Sequence, residues 1–223
     1  MSGGWLRPAV FGAMDGLVTN VSLIAGVGGG GGSQHAIVLT GLAGLAAGAF
    51  SMAAGEFVSV SSQNELIHAE VDKERHELKV NAVAEQAELA GMLRRRGVSA
   101  ATARQAAAEI SAHPEKALAV HALEELGVNP AELPSPVVAA GASLAAFAAG
   151  AVVPLLPYLL GFDAMGVALG LSAIAAIVGG GLVARLTNRP FWRGAIRQLI
   201  LGAFAAGLTY LIGLAVGGLA ASA

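Results

Sequence analysis

No cysteine occurs among the 223 residues. Disulfides and thiolate metal sites are therefore excluded, and any bound metal must take oxygen, imidazole or thioether ligands. Charge is also scarce. Only 13% of the residues are Asp, Glu, Lys or Arg, where a soluble domain carries about 25%. The formal net charge of -2 gives no basis for a nucleic-acid partner. The N-terminus does not show a basic region, a short apolar core and a cleavage site in that order, so no removable signal peptide is expected. Catalytic signatures are missing as well. There is no HExxH and no GxSxG, and the glycine run Gly28 to Gly32 has no Lys-Ser/Thr after it to make a Walker loop. These gaps speak against an enzyme and against an ATP-driven pump. A transported ion would have to move on an ion gradient or on its own gradient. No repeat of 20–50 residues is visible.

What is present is apolar. Hydrophobic residues make up 55% of the chain, and the mean hydropathy is +0.68. Three parts follow: 1–62, apolar with two long stretches; 63–133, charged; and 134–223, apolar with three stretches. A spanning helix needs about 20 mainly apolar residues. The stretches predict an all-α, polytopic membrane protein with five spans, at about 8–30, 36–62, 136–160, 164–186 and 194–221. The glycine run with Ser33, Gln34 and His35 closes the first hairpin. Gly161, Phe162 and Asp163 close the next one between spans.

The 13 Lys and Arg residues fix the expected orientation. Arg7 precedes the first span. Lys73, Arg75, Lys79, Arg94, Arg95, Arg96, Arg104 and Lys116 lie in the middle segment. Arg185, Arg189, Arg193 and Arg197 lie around the last loop. With five spans all of them fall on one side, and positive residues mark the cytoplasmic side. The N-terminus and middle segment are thus expected in the cytoplasm, and the C-terminus opposite.

The middle segment holds 12 of the 15 acidic residues, alternating with Ala, Leu and Val at helical spacing. No Gly or Pro occurs between Gly55 and Gly91, so the second span is expected to run on as one helix to about Val80. Further helices are expected at about 82–96, 100–112 with Ser99 as N-cap, and 114–126 with Pro114 in the first turn. Asn129, Pro130, Pro134 and Pro136 form the return linker.

Outside that segment the acids are Asp15, Glu56 and Asp163. Asp163 falls in a loop. Asp15 and Glu56 fall within apolar helices, where a carboxylate costs at least about 2.5–3.5 kcal/mol on insertion scales and usually marks a transport path. Asp15 has Thr19 and Ser22 on its face. Glu56 has Met52 one turn before it and Ser59 one turn after. Both acids fall in the cytoplasmic half of the bilayer. Two carboxylates, a thioether and hydroxyls suit a borderline divalent cation that must also leave. The bland reading is that the two acids only bond neighbouring helices, and that Met52 is a packing residue.

In the middle segment Glu74 and Glu77 stand at i, i+3, with Glu70 one turn earlier, and Glu85 and Glu88 repeat the spacing. Each pair places two carboxylates on one helix face. His121 and Glu125, at i, i+4, can add ligands from the last helix. Such sets bind hard or borderline cations, but they equally describe a solvated acidic face. A second stripe, His68, Asp72 and His76, is a weaker candidate of the same kind. His35 and His113 fall in loops.

The stretch Phe11-Gly-Ala-Met-Asp-Gly-Leu-Val-Thr19 resembles the opening signature of the vacuolar iron transporter (VIT) family, and Gly41 to Val60 resembles its second-span signature. Phe147, Gly150, Pro154, Leu155 and Pro157 resemble its third span. The resemblance covers nearly the whole chain. It implies a homodimer with the ion path between the subunits, lined by Asp15 and Met52, with Glu56 as the second-span glutamate. It implies that 63–133 is a cytoplasmic metal-binding domain, with Glu74, Glu77, Glu85 and Glu88 as ligands. It implies export of iron(II) or manganese(II) from the cytoplasm in exchange for protons, with no permanent cofactor. In a compact, bacterium-like chain the membrane would be the plasma membrane. One departure stands out. Where the family can place a Met-Glu pair before a further glutamate, this chain has His121-Ala122 and then Glu125. The rival expectation is a membrane-anchored metal sensor or storage protein, which would need the glutamates but not Asp15 or Glu56.

Overall fold

The computed structural model describes residues 4–162 and 164–221. The described residues form helices without a strand: α1 (Leu6–Gly29), α2 (Gln34–Val80), α3 (Ala82–Arg95), α4 (Ala100–Ser111), α5 (Pro114–His121), α6 (Pro136–Leu159), α7 (Met165–Leu186) and α8 (Phe191–Ala221). Five of them, α1, α2, α6, α7 and α8, are long and apolar enough to cross a membrane. Asp163, expected in a loop, lies outside the described residues. His35, expected in the hairpin, sits in the first turn of α2.

The chain divides into two compact units. The first comprises residues 1–58 and 136–223. In lipid the apolar surface of one helix gains nothing by meeting another, so helices associate through small residues that let backbones approach. That is how α1 meets its neighbours. A Cβ placed on Gly16 would overlap the carbonyl oxygen of Phe147 on α6, and one on Gly150 of α6 would overlap that of Ala13. At the same crossing the fully buried Asn20 donates from Nδ2 to the Ala151 carbonyl at 2.6 Å. Helices α7 and α8 cross in the same way at Gly180 and Gly194. Elsewhere the fit is loose. A cavity of about 560 Å³ lies among α1, α7 and α8, lined by Leu17, Val21, Ala176, Leu199, Ala206 and Tyr210 among others. Arg185 lies over the Phe191 ring at 5.7 Å and Arg193 over the Trp192 ring at 5.3 Å, a cationic and aromatic edge of the kind found at membrane interfaces.

The second unit comprises Ser59–Ser135. Helix α2 ends where Asn81 leaves the helical region, with φ -124° and ψ 30°. Helix α4 starts at Ser99, whose Oγ accepts from the Thr102 amide at 3.3 Å. Helix α5 starts on Pro114, whose missing N–H would have had no partner there anyway. Two small cores hold these helices. Leu89, Ala90 and Met92 of α3 meet Ala107 of α4. Val71 of α2 meets Leu118 and Ala122 at the end of α5. After His121 the helix widens into a π turn, Ala122–Leu126, that ends on Gly127 at φ 68°.

Candidate metal centre

These two cores decide where the acidic residues point. Val71 sits against α5, so Glu70, Glu74 and Glu77 flank it on α2. Glu85 lies one turn before the fully buried Leu89 and is drawn inward with it, to 5% exposure. Leu118 anchors α5 and leaves His121, three residues on, wholly buried. The outcome is one cavity of about 200 Å³ lined by Glu70, Lys73, Glu74, Glu77, Glu85, Glu88, Ala122, Glu125 and Leu126. All six glutamates expected as ligands border it.

His121 faces this acidic group through one ring nitrogen. Its Nδ1 lies 2.9 Å from an oxygen of Glu74, 3.2 Å from one of Glu125 and 3.8 Å from one of Glu85. One ligand atom each from Glu74, His121 and Glu125 falls within 4.8 Å of the others. A single N–H can satisfy one carboxylate well, and the geometry gives that hydrogen bond to Glu125. The Glu74 oxygen is buried without a hydrogen bond. Buried carboxylates are normally paired or coordinate a metal. Burial, and then the charge of Glu125, pushes the Glu74 carboxyl above the usual range, while His121 pulls the other way. Burial, followed by Glu88, raises Glu85 in the same direction. The cavity therefore holds more negative charge than its neighbours balance, and a cation would relieve it.

Other residues are placed differently. Glu124 turns away and pairs with Arg96 at 3.0 Å. His68, Asp72 and His76 are exposed, and Asp72 pairs with Arg75 on its own helix. Lys73 at the cavity wall was not singled out by spacing, because a lone lysine in a charged helix carries no signal. The π turn was equally silent in the sequence. It widens the helix at Glu124 and Glu125, and such turns are frequent at functional sites.

In the apolar unit Asp15 is exposed on α1, and Thr19 Oγ1 donates to it at 3.5 Å. Ser22, expected on the same stripe, is buried at 8% exposure. Glu56 is half-buried. Met52 packs against Ala49, Phe147 and Ala151. Ser59 is exposed and belongs to the other unit. Among the described residues no hydrogen bond joins Asp15 to Glu56. Asn20 escaped the sequence reading, since a lone amide inside a helix has many roles.

The family model described as the VIT family matches residues 6–214. The chain belongs to the VIT family. A vacuolar iron transporter of Acanthamoeba castellanii is 36% identical over 215 residues, covering 94% of this chain and 78% of that protein. Vacuolar iron transporter homolog 1 of Oryza sativa subsp. japonica is 34% identical over 209 residues, with 92% and 71% covered. Vacuolar iron transporter homolog 2 of Arabidopsis thaliana is 34% identical over 220 residues, with 94% and 85% covered. As a VIT-family protein with five helices fit to span a bilayer, the chain is a multi-pass membrane protein.

Proposed function

We propose that this protein transports a divalent metal ion, iron(II) or manganese(II), out of the cytoplasm in exchange for protons. The observation that carries the metal half is the Glu74, Glu85 and Glu125 group around a single imidazole nitrogen. Three carboxylates sharing one N–H are under-satisfied, and a divalent ion supplies the missing positive charge. Glu70, Glu77 and Glu88 on the same cavity draw cations in. Such a site holds metal at the expense of protons, because its ligands must be deprotonated to bind. The relatives named as iron transporters support the cargo.

In this reading the second unit is cytoplasmic and collects metal, and Asp15, Met52 and Glu56 pass it through the bilayer. The exposure of Asp15 on a membrane helix supports a homodimer. A carboxylate facing hydrocarbon is costly, and membrane-embedded acids face a bundle interior or a water-filled path. In one chain Asp15 faces outward, so a second subunit would supply the other wall. Thr19 then orients the carboxylate from its own helix.

The test is flux in metal-loaded proteoliposomes, with and without a pH gradient. Asp15→Ala is expected to abolish metal flux while the protein still folds and assembles. Undiminished flux from that variant would sink the transport path. Flux indifferent to the pH gradient would sink the proton exchange.

A further inference from the structure

We infer that His121 makes the acidic cavity selective, favouring iron(II) and the later first-row ions over manganese(II), magnesium and calcium. The inference rests on the metal-collecting reading of that cavity. Every other ligand atom in reach is a carboxylate oxygen, contributed by Glu70, Glu74, Glu77, Glu85, Glu88 or Glu125. Carboxylates alone suit magnesium, calcium and manganese, whereas imidazole suits iron and zinc, and affinities for nitrogen-containing sites rise from manganese through iron to the later ions. His121 contributes the imidazole nitrogen facing the group; Lys73 also lines the cavity, but its ammonium has no lone pair to give.

Its placement fits coordination. Ligand atoms about 2.0–2.2 Å from one ion stand roughly 3–3.5 Å apart in octahedral or tetrahedral geometry. The Nδ1-to-oxygen separations of 2.9 and 3.2 Å fall at that spacing, with Glu85 slightly beyond at 3.8 Å. The ring is wholly buried and cannot swing out to solvent. Nδ1 is the ring nitrogen on the side of the carboxylates.

The other face of the ring sets how tightly the ion is held. Metal-binding histidines usually donate their second N–H to a carboxylate or carbonyl, which raises ligand basicity, and losing that partner costs about 10–100-fold in affinity. When Nδ1 binds an ion it gives up its hydrogen bond to Glu125 and the ring proton sits on Nε2, which is buried with no hydrogen-bond partner among the described residues. The imidazole therefore discriminates between ions without holding any of them for long, as suits a site that must hand its cargo on.

The experiment is titration of full-length, metal-free protein in detergent with iron(II) under anaerobic conditions, cobalt(II), manganese(II) and magnesium(II), in wild type and His121→Gln. The wild type is expected to prefer iron(II) and cobalt(II) over manganese(II), and that preference should be lost in the variant, whose ligands are all oxygens. In parallel, pulsed electron paramagnetic resonance of manganese(II)-loaded wild type should show ¹⁴N coupling from a coordinated imidazole. That second measurement decides the matter if His121→Gln does not fold. Saturable binding with an unchanged metal ratio, or without nitrogen coupling, would overturn the role of His121 and leave the cavity a metal site. No saturable binding at all, in a protein that still transports metal, would overturn the cavity as a metal site and this inference with it.

Discussion

Replacing Glu74 by glutamine should act in opposite directions on the empty and the loaded protein. In the empty protein, ligand oxygens of Glu74 and Glu125 lie within 4.8 Å of each other. Two unit charges at that distance repel by about 3.5 kcal/mol at an effective dielectric near 20. His121 offsets part of this, and solvent at the partly exposed Glu125 screens more. A net gain of roughly 1–2 kcal/mol is left for Glu74→Gln, which mimics the neutral acid that burial already favours. For a chain of this length each kcal/mol moves the melting midpoint by about 2–4 °C. Metal-free Glu74→Gln should therefore melt about 2–8 °C above metal-free wild type in the same detergent. In the loaded protein the variant lacks a charged ligand. A ligand at 100 times its Kd stabilises by about 2.7 kcal/mol, and that increment should be present in the wild type and largely absent from the variant. Thermal unfolding of the two proteins with chelator, and then with manganese(II), measures both effects. A metal-free variant that melts below the wild type would refute the electrostatic conflict on which the site rests.

Three further outcomes follow from the same geometry. Glu74 and Glu85 titrate above the usual carboxylate range, so the folded state binds their protons more tightly than the unfolded state does. Stability of the metal-free protein should consequently fall as pH rises through that elevated range, and the slope should flatten in Glu74→Gln/Glu85→Gln, as followed by unfolding from pH 4.5 to 8. Glu124→Gln should leave metal affinity nearly unchanged and cost less than about 1 kcal/mol, because Glu124 only pairs with the exposed Arg96; a large loss in calorimetry would mean that Glu124 turns inward when metal binds. Gly150→Leu should destabilise the membrane unit by about 1–3 kcal/mol or more through overpacking against Ala13, and an unchanged unfolding midpoint would contradict the close crossing of α1 and α6.

Much of the helix layout is legible in the sequence because it is written in local signals. The continuation of α2 to Val80 follows from the lack of Gly and Pro after Gly55, and α4 begins where Ser99 can cap it. The glutamate spacing shows which faces are acidic, but not that α2, α3 and the end of α5 turn those faces toward one cavity. That depends on tertiary packing at Val71, Leu89 and Leu118, which no periodicity fixes. The outward turn of Glu124 depends on the π turn and on Arg96, far away in sequence. Asp15 and Glu56 are conspicuous in the sequence because their helices are apolar. Helical spacing does not say which neighbour either acid faces, and among the described residues no hydrogen bond joins the two.

The close crossing of α1 and α6 also limits how the protein can move. Backbone contact at Gly16 and Gly150 and the bond from Asn20 to Ala151 tie the two helices together, so they are expected to move as one lever. A displacement of α1, which carries Asp15, is therefore expected to carry α6 with it. Free space lies on the side of α7 and α8, in the 560 Å³ cavity lined mostly by apolar side chains. Spin labels on α1 and α6 should keep one separation throughout a transport cycle, while labels on α1 and α7 should report two.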